Sequence, residues 1–499
     1  MRAGAGVPAA REVSVLVIGA GAAGILMGIG LRERGIEDFV ILEKAGSLGG
    51  TWRDNVYPGV ACDVPAIYYS YSFAPNTSAP MRYATGRELW SYFDSVATDR
   101  GLAGHLRYGA EVTSAAWNGT AWEVETASGE RWTAGIVVGA VGRLHRPRFP
   151  DIPGMADFAG VVRHASQWDP DLDLRGVRLG VIGTGSSSVQ IVSAASQQVA
   201  HLDLFQRTAQ WVYPRANEPV AEAVRAEMLA SPEGARKHYA AMEAESLRLG
   251  EIAVSGTAEQ VEARNQVIRD ALAAVRDPVL RAKLTPDYDI GCKRLVISGT
   301  FYDAVQRPNV DVVTDGILRF EREGIRTTDG VLHPLDVVVL ATGFHADNYL
   351  RPMRVRGAGG VDLEELWADV FLTYKSVAVP HLPNFFLING PFSPGGSLNI
   401  IAVIENHAAF VLQLVDRVLA ERVAIAPDAG SSAAFVDRMR DRAKGTVWYT
   451  GGCTSWYLDR DGVPLVAPMT LSELRAEMAE PVWADFDVRP LAGSCSAAS

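Results

Sequence analysis

Two glycine turns, and the residues that follow them, hold the chemistry most legible in this chain. Gly19-Ala20-Gly21-Ala22-Ala23-Gly24 follows the apolar run Val15–Ile18, and Gly183-Thr184-Gly185-Ser186-Ser187 follows Leu179–Ile182. A strand, a glycine turn and a helix N-terminus form a pyrophosphate site, because free backbone N–H groups and the helix dipole point at the anion. Each unit then returns to a second apolar strand. At the same 24-position offset from the first glycine stands Glu43 in one copy and Arg207 in the other. A carboxylate accepts a ribose hydroxyl, whereas a guanidinium suits a 2′-phosphate. The opposite charges predict two different dinucleotides, the second NADP-type.

Other residues carry chemistry with less support from spacing. Gly291-Cys292-Lys293-Arg294 puts adjacent cations ahead of an apolar strand, which on its own reads as a surface pair. Asp63, before Val64-Pro65, reads as a turn aspartate. His164 lies between aromatic residues ahead of the second nucleotide unit, where a lone histidine is more often structural than catalytic. Four cysteines (Cys62, Cys292, Cys453, Cys495) lie far apart, with no CxxC and no histidine cluster. That spacing predicts a reducing compartment, no metal site, and none of the paired thiols a disulfide reductase needs.

The elements that position these groups follow an α/β pattern, with two Rossmann-like dinucleotide-binding domains and a helical insertion. At 499 residues the chain exceeds one core. Its 48% apolar and 21% charged content is that of a globular protein, and a net charge of −11 argues against a nucleic-acid partner. No apolar run reaches the roughly 20 residues that span a bilayer, and residues 1–12 show no secretory h-region, so a cytoplasmic protein is expected.

Along the chain, dense glycines at Gly49-Gly50-Thr51-Trp52 allow close approach to a flat cofactor. The aromatic run Ile67–Phe73 reads equally as a cofactor wall or a core strand. Residues 86–104 read as an amphipathic helix. Strands are expected at Glu111–Trp117, Trp122–Ala127, Glu130–Thr133 and, separately, Ile136–Gly142. The proline-rich stretch Arg146–Gly154 marks a boundary. Residues 215–288 carry apolar positions Val261, Ile268, Leu272 and Val275 at helical spacing, and Val337–Phe344 echoes Val137–Gly142. A Gly/Pro/Ser loop within 384–407 precedes a helix whose N-terminus would favour negative charge. From Arg489 the tail reads as disordered.

The segment Phe158-Ala159-Gly160-Val161-Val162-Arg163-His164-Ala165-Ser166-Gln167-Trp168-Asp169 resembles, at every fixed position, the FxGxxxHxxxW[P/D] signature of Baeyer–Villiger monooxygenases, and it lies between two dinucleotide motifs as in that family. The resemblance covers about residues 13–487. It departs at Leu144, where the family often has Trp, and at Ser188, where a third small residue closes the second turn. It implies FAD and NADPH as cofactors, with a first FAD part at 12–142 and a first NADP part at 143–214. The insertion follows at 215–288, then the second NADP part at 289–344, the second FAD part at 345–488 and a tail at 489–499.

On this resemblance Gly19, Gly21, Gly24, Glu43, Gly50, Thr51, Trp52, Asp63, Tyr69 and Val112 belong to the flavin side. Gly183, Thr184, Gly185, Ser186, Ser187 and Gln190 belong to the NADP pyrophosphate and its flank, with Arg207, Thr208 and Lys293 at the 2′-phosphate. Arg294 sits over the flavin and Asp63 holds it, although 231 positions separate them. Phe158, Gly160, His164 and Trp168 form an interdomain motif, and the segment Trp448–Tyr457 is a cofactor-proximal loop. The implied reaction passes hydride from NADPH to FAD and on to O2, and a C4a-peroxyflavin inserts oxygen beside a ketone carbonyl to give an ester or lactone. The alternatives are an N- or S-oxygenating flavoenzyme, a plain NADPH:flavin reductase, and a non-catalytic nucleotide sensor.

Overall fold

The computed structural model describes residues 10–396 and 398–491. Two sheets carry the architecture. The first opens with β1 (Arg11–Ile18), α1 (Ala22–Glu33) and β2 (Phe39–Glu43), then β3 (Leu106–Tyr108), β4 (Val112–Trp117), β5 (Trp122–Thr126) and β6 (Arg131–Gly139). In space the order is Arg354–Arg356, β4, β5, β6, β1, β2, β3. Strand β6 pairs antiparallel with β5 over its first half, and its last residues pair parallel with Phe385–Leu387. Val15, Leu16 and Val17 of β1 are fully buried, because helices and loops cover both faces, so the strand is a continuous apolar run and not an alternating one.

The second sheet comprises β7 (Val161–His164), β8 (Arg178–Ile182), β9 (His201–Phe205), β10 (Val310–Val313) and β11 (Val337–Leu340), with α2 (Ser186–Ala195) following β8. The spatial order is β10-β9-β8-β11-β7, parallel throughout. Between the two parts of this sheet, residues 215–288 carry the helices Glu222–Ala230, Pro232–Ser255, Ala258–Ala273 and Pro278–Lys283, and a short helix Phe301–Ala304 follows. Of the four apolar positions at helical spacing, Ile268, Leu272 and Val275 are buried and Val261 is half-buried.

The chain passes between the two sheets through neighbouring linkers. Arg148 N–H donates to Gly343 O (2.9 Å) and His345 N–H to Arg146 O (3.0 Å), so residues 146–148 and 343–345 run side by side. A long helix, α3 (Ile400–Glu421), is capped by the Asn399 side chain, which accepts from Ile401 N–H; it packs into the first core together with α1.

Four expectations need correction. The strands foreseen at Glu130–Thr133 and Ile136–Gly142 are one strand, β6, since parallel pairing with β1 runs through Ala134 and Gly135 and holds that step extended. The predicted helix 86–104 ends at Asp99, where Gly101 takes a left-handed conformation and a 3-10 turn follows. Ile67–Phe73 forms turns and no strand: Tyr68 and Tyr71 are core residues, and Tyr69 alone of the three faces the cavity described below. Arg489 and Pro490 belong to strand Phe486–Pro490, paired with Val423–Pro427, so the chain is still ordered there. The remainder of the foreseen tail, from residue 492, lies outside the described residues.

Candidate functional site

The two glycine turns adopt the same geometry. Gly21 and Gly185, the N-caps of α1 and α2, have φ/ψ of −77°/−173° and −75°/−175°. Gly19 and Gly183 have φ of +101° and +119°, and a Cβ at either would lie 2.7 Å from Ala140 O or 2.4 Å from Ala341 O. Only glycine meets both demands at once, so each turn leaves its helix N-terminus open. At the third position the copies differ: Gly24 packs against Gly19 O, whereas Ser188 is buried with no hydrogen-bond partner for its hydroxyl.

A cavity of about 470 Å³ starts at the first turn and runs to Arg294. Glu43 lines its near end at 4% exposure, its carboxylate accepting from Ala20 N–H and Ala45 N–H (both 2.9 Å) and pairing with Arg53 (3.0 Å). Gly50, Thr51, Trp52, Tyr69 and Val112 also line it. From the second turn, Ser186, Ser187 and Gln190 reach the same cavity. Ser187 Oγ donates to Tyr57 Oη (3.0 Å), Tyr57 Oη donates to Gln190 Oε1 (3.0 Å), and Gln190 Nε2 donates to Ala61 O (2.9 Å). Tyr57 was not singled out from the sequence; Gly59 two residues on was the only local signal of a close approach.

Arg207 and Lys293 do not line this cavity. They stand beside each other at the second nucleotide turn, and neither forms an ion pair among the described residues. Burial, and then the like charge of Arg207, lower the Lys293 pKa. Two mutually repelling cations, on which Asp287 acts more weakly than they act on each other, suit a dianionic phosphate. Thr184 Oγ1 donates to Thr208 O (2.8 Å), fixing the turn beside them.

Asp63 and Arg294, 231 positions apart, meet at the cavity. Arg294 Nη2 donates to both carboxylate oxygens (2.8 and 2.7 Å), a contact made through one nitrogen of the guanidinium. Asp63 first, by its charge, raises the Arg294 pKa beyond its ordinary value. Tyr457 completes this end: its buried phenol has no hydrogen-bond partner, and burial raises its pKa to about 12 against the opposing pull of Arg294 and Arg143. Arg143 lies between the rings of Tyr349 (5.2 Å) and Trp456 (5.4 Å). Sequence reasoning singled out neither Arg143 nor Tyr349.

The interdomain motif does not itself line the cavity; its nearest approach is through Phe344, which does. His164 Nε2 contacts Gly343 O (3.0 Å), Nδ1 contacts Ser166 Oγ (2.8 Å), and the ring meets Phe149 and Phe344 at 5.5 Å. Burial lowers its pKa, consistent with a neutral ring that joins the second sheet to both linkers. Phe158 and Trp168 are core residues, and a Cβ on Gly160 would lie 2.3 Å from Asp336 O. The candidate cation ligands His201, Asp203 and Asp311 lie on β9 and β10, outside the cavity lining.

The cysteine reading is overturned. Cys292 and Cys453, 161 positions apart, form a disulfide with Cα atoms 6.0 Å apart. Wide spacing in sequence does not limit proximity in a fold, and the argument for a reducing compartment from cysteine spacing falls with it. Neither cysteine lines the cavity, so the pair does not face the place where the first nucleotide site ends, as a reductase pair would have to. Cys62 lines the cavity as a free thiol, its pKa raised by burial and then by Asp63.

A family model described as pyridine nucleotide-disulphide oxidoreductase matches residues 16–275, ending before Cys292. A Baeyer–Villiger monooxygenase of Streptomyces coelicolor is 40% identical over 491 residues, covering 96% of this chain and 93% of the relative. One of Pseudomonas aeruginosa is 35% identical over 458 residues, covering 90% and 86%. Among solved structures, cyclohexanone monooxygenase from Rhodococcus sp. Phi1 bound to NADP+ superposes with a TM-score of 0.85 at 29% identity, covering 97% of this chain and all of that one.

Proposed function

Because this chain belongs to the Baeyer–Villiger monooxygenases, within the wider pyridine nucleotide-disulphide oxidoreductase family, we propose that it is an FAD-dependent, NADPH-consuming monooxygenase. It inserts one atom of O2 beside the carbonyl of a ketone, giving an ester or lactone. FAD and NADPH, when bound, supply the hydride transfer and oxygen activation. The remaining chemistry belongs to the side chains.

Residues 12–142 and 345–488 hold FAD, with Gly19, Gly21 and Gly24 at the turn and Glu43 on the ribose. Residues 143–214 and 289–344 hold NADPH: the turn Gly183–Gly185 with Ser186 and Ser187 receives the pyrophosphate, and Arg207, Thr208 and Lys293 receive the 2′-phosphate. The buried, donor-rich surroundings of Glu43 and the mutually repelling pair Arg207/Lys293, neither in an ion pair among the described residues, support this division. The helices at 215–288 are an insertion in the NADP part. His164 keeps the two parts in register through Gly343.

The Asp63–Arg294 contact is the observation that carries the reading. A guanidinium stays charged at any working pH, and Asp63 restricts where it points. A fixed positive charge at the cavity end favours negative charge on the transferring oxygen and on the carbonyl oxygen under attack. That selects attack on carbonyl carbon over oxidation of nitrogen or sulfur. No helix of the described residues is long and apolar enough to cross a membrane. We place the enzyme in the cytoplasm, where NADPH is regenerated. Incubation with NADPH, 18O2 and a panel of ketones and sulfides tests the reading by mass spectrometry: labelled esters or lactones are expected, and labelled sulfoxides alone would overturn it.

A further inference from the structure

The disulfide lies where two separately assigned parts of the site touch. Cys292 is fully buried and immediately precedes Lys293 and Arg294; Cys453 is half-buried and stands three residues before Trp456. The loop from Gly451 to Tyr457 supplies Trp456 and Tyr457 to the cavity. Its approach to the Cys292 segment is close: Asp289 N–H donates to Gly451 O (3.0 Å), Cys453 N–H lies 3.2 Å from Cys292 Sγ, and a Cβ on Gly451 would lie 2.8 Å from Cys292 Cβ. Directly after Cys453 the loop is exposed at Thr454, and again at Trp456. The covalent bond is therefore the fixed point that relates the Trp456–Tyr457 wall to the Lys293–Arg294 cations.

We propose that Cys292 and Cys453 are positioning residues whose disulfide staples the 451–457 loop over Lys293 and Arg294, and that its reduction uncouples NADPH consumption from oxygen insertion. The inference rests on the roles given above to Lys293 and Arg294. A dithiol opens the staple by attack of its thiolate on the sulfur of Cys453, the less buried of the two residues, which breaks the Sγ–Sγ bond and releases Cys292 as a thiolate that takes a proton. The second thiol of the reagent then displaces Cys453, leaving a cyclic disulfide and two protein thiols. The oxidised form of the same reagent reverses both steps. Cys62 is no competitor: it is buried, and burial and Asp63 keep it a neutral thiol.

The test compares the FAD-loaded protein before and after dithiol treatment, with the reagent removed, and Cys453→Ser. Peptide mapping without reductant should show residues 292 and 453 in one cross-linked species, lost on treatment. Reduced protein and Cys453→Ser should bind NADP+ more weakly. Their flavin should be reduced by saturating NADPH within about twofold of the untreated rate. Product per NADPH should fall on the order of tenfold, short of the roughly hundredfold that a 1 Å misplacement costs, with H2O2 replacing product. Reoxidation should restore the wild-type chain and not Cys453→Ser. Absence of the cross-linked peptide, or identical NADP+ affinity and identical coupling in both states, overturns the staple. If no ketone is oxygenated in either state, the proposed function fails, while NADP+ affinity still decides this inference.

Discussion

Replacing Arg294 with alanine tests the core of the reasoning, because its effects on chemistry and on folding differ in size. The side chain donates to both oxygens of Asp63 at 2.8 and 2.7 Å, yet it is 43% exposed and Asp63 19% exposed. Solvent screens such a pair, so its loss costs the fold only about 1 kcal/mol. A fixed donor at a site of developing negative charge is worth about 3–4 kcal/mol at the barrier, which is about 10²–10³-fold in product formation. Flavin reduction by NADPH needs the nucleotides seated and does not need this cation, so anaerobic bleaching should stay within about threefold. Asp63→Asn leaves the charge but frees the side chain, and should cost on the order of tenfold by misorientation. Arg294→Lys keeps the charge without the planar donor set and should recover part of the loss. Stopped-flow bleaching, product yield by mass spectrometry and thermal unfolding of each variant separate these terms. Undiminished product from Arg294→Ala, or equal loss of bleaching and product, would refute the assignment.

Three further outcomes follow from the geometry. Arg207→Ala should raise the NADPH KM about 10- to 100-fold, the scale of a charged hydrogen bond, and leave the NADH KM nearly unchanged; steady-state kinetics with both coenzymes checks it, and an equal rise would remove Arg207 from the 2′-phosphate. Gly183→Ala puts a Cβ 2.4 Å from Ala341 O at φ +119°, so NADP+ affinity should drop while flavin content, set by the other turn, is retained; loss of both would show that the two sites are not independent. His407 accepts from Asn389 N–H (3.1 Å), and burial lowers its pKa from 6.5 to about 3. Its neutral form is the folded one, so its contribution is full above pH 6.5 and declines as pH falls toward 3, by about 2 kcal/mol at pH 5. Denaturant unfolding at pH 7.5 and pH 5 should show a smaller difference for His407→Asn than for the wild type, and an unchanged difference would mean that this ring is not the source.

How much of this was readable in one dimension varies with distance along the chain. The nucleotide turns were legible because each is local: positive-φ glycine, helix and charge fall within 25 residues directly after a strand, and short-range sterics dictate them. Glu43 and Arg207 were assigned on sign alone, and each stands beside a turn of the expected geometry. The motif Phe158–Trp168 was visible as a pattern, but that His164 ties β7 to Gly343 was not, since the two are 179 positions apart. Asp63 read as a turn residue on spacing; only its resemblance to a family pointed to Arg294.

The amino-acid order by itself determined the α/β class, the two nucleotide turns and the charge that tells them apart, since each depends on backbone sterics and periodicity over a few residues. Tertiary structure alone decided which remote groups meet. It closed Asp63 on Arg294 and Cys292 on Cys453, set Tyr57 against Gln190, and placed Arg143 between Tyr349 and Trp456. Those contacts join residues of both sheets and of the C-terminal loop, and no local propensity encodes them. They arise when two sheets, each with its own core, are brought together through paired linkers, which is a property of packing and not of any stretch of chain.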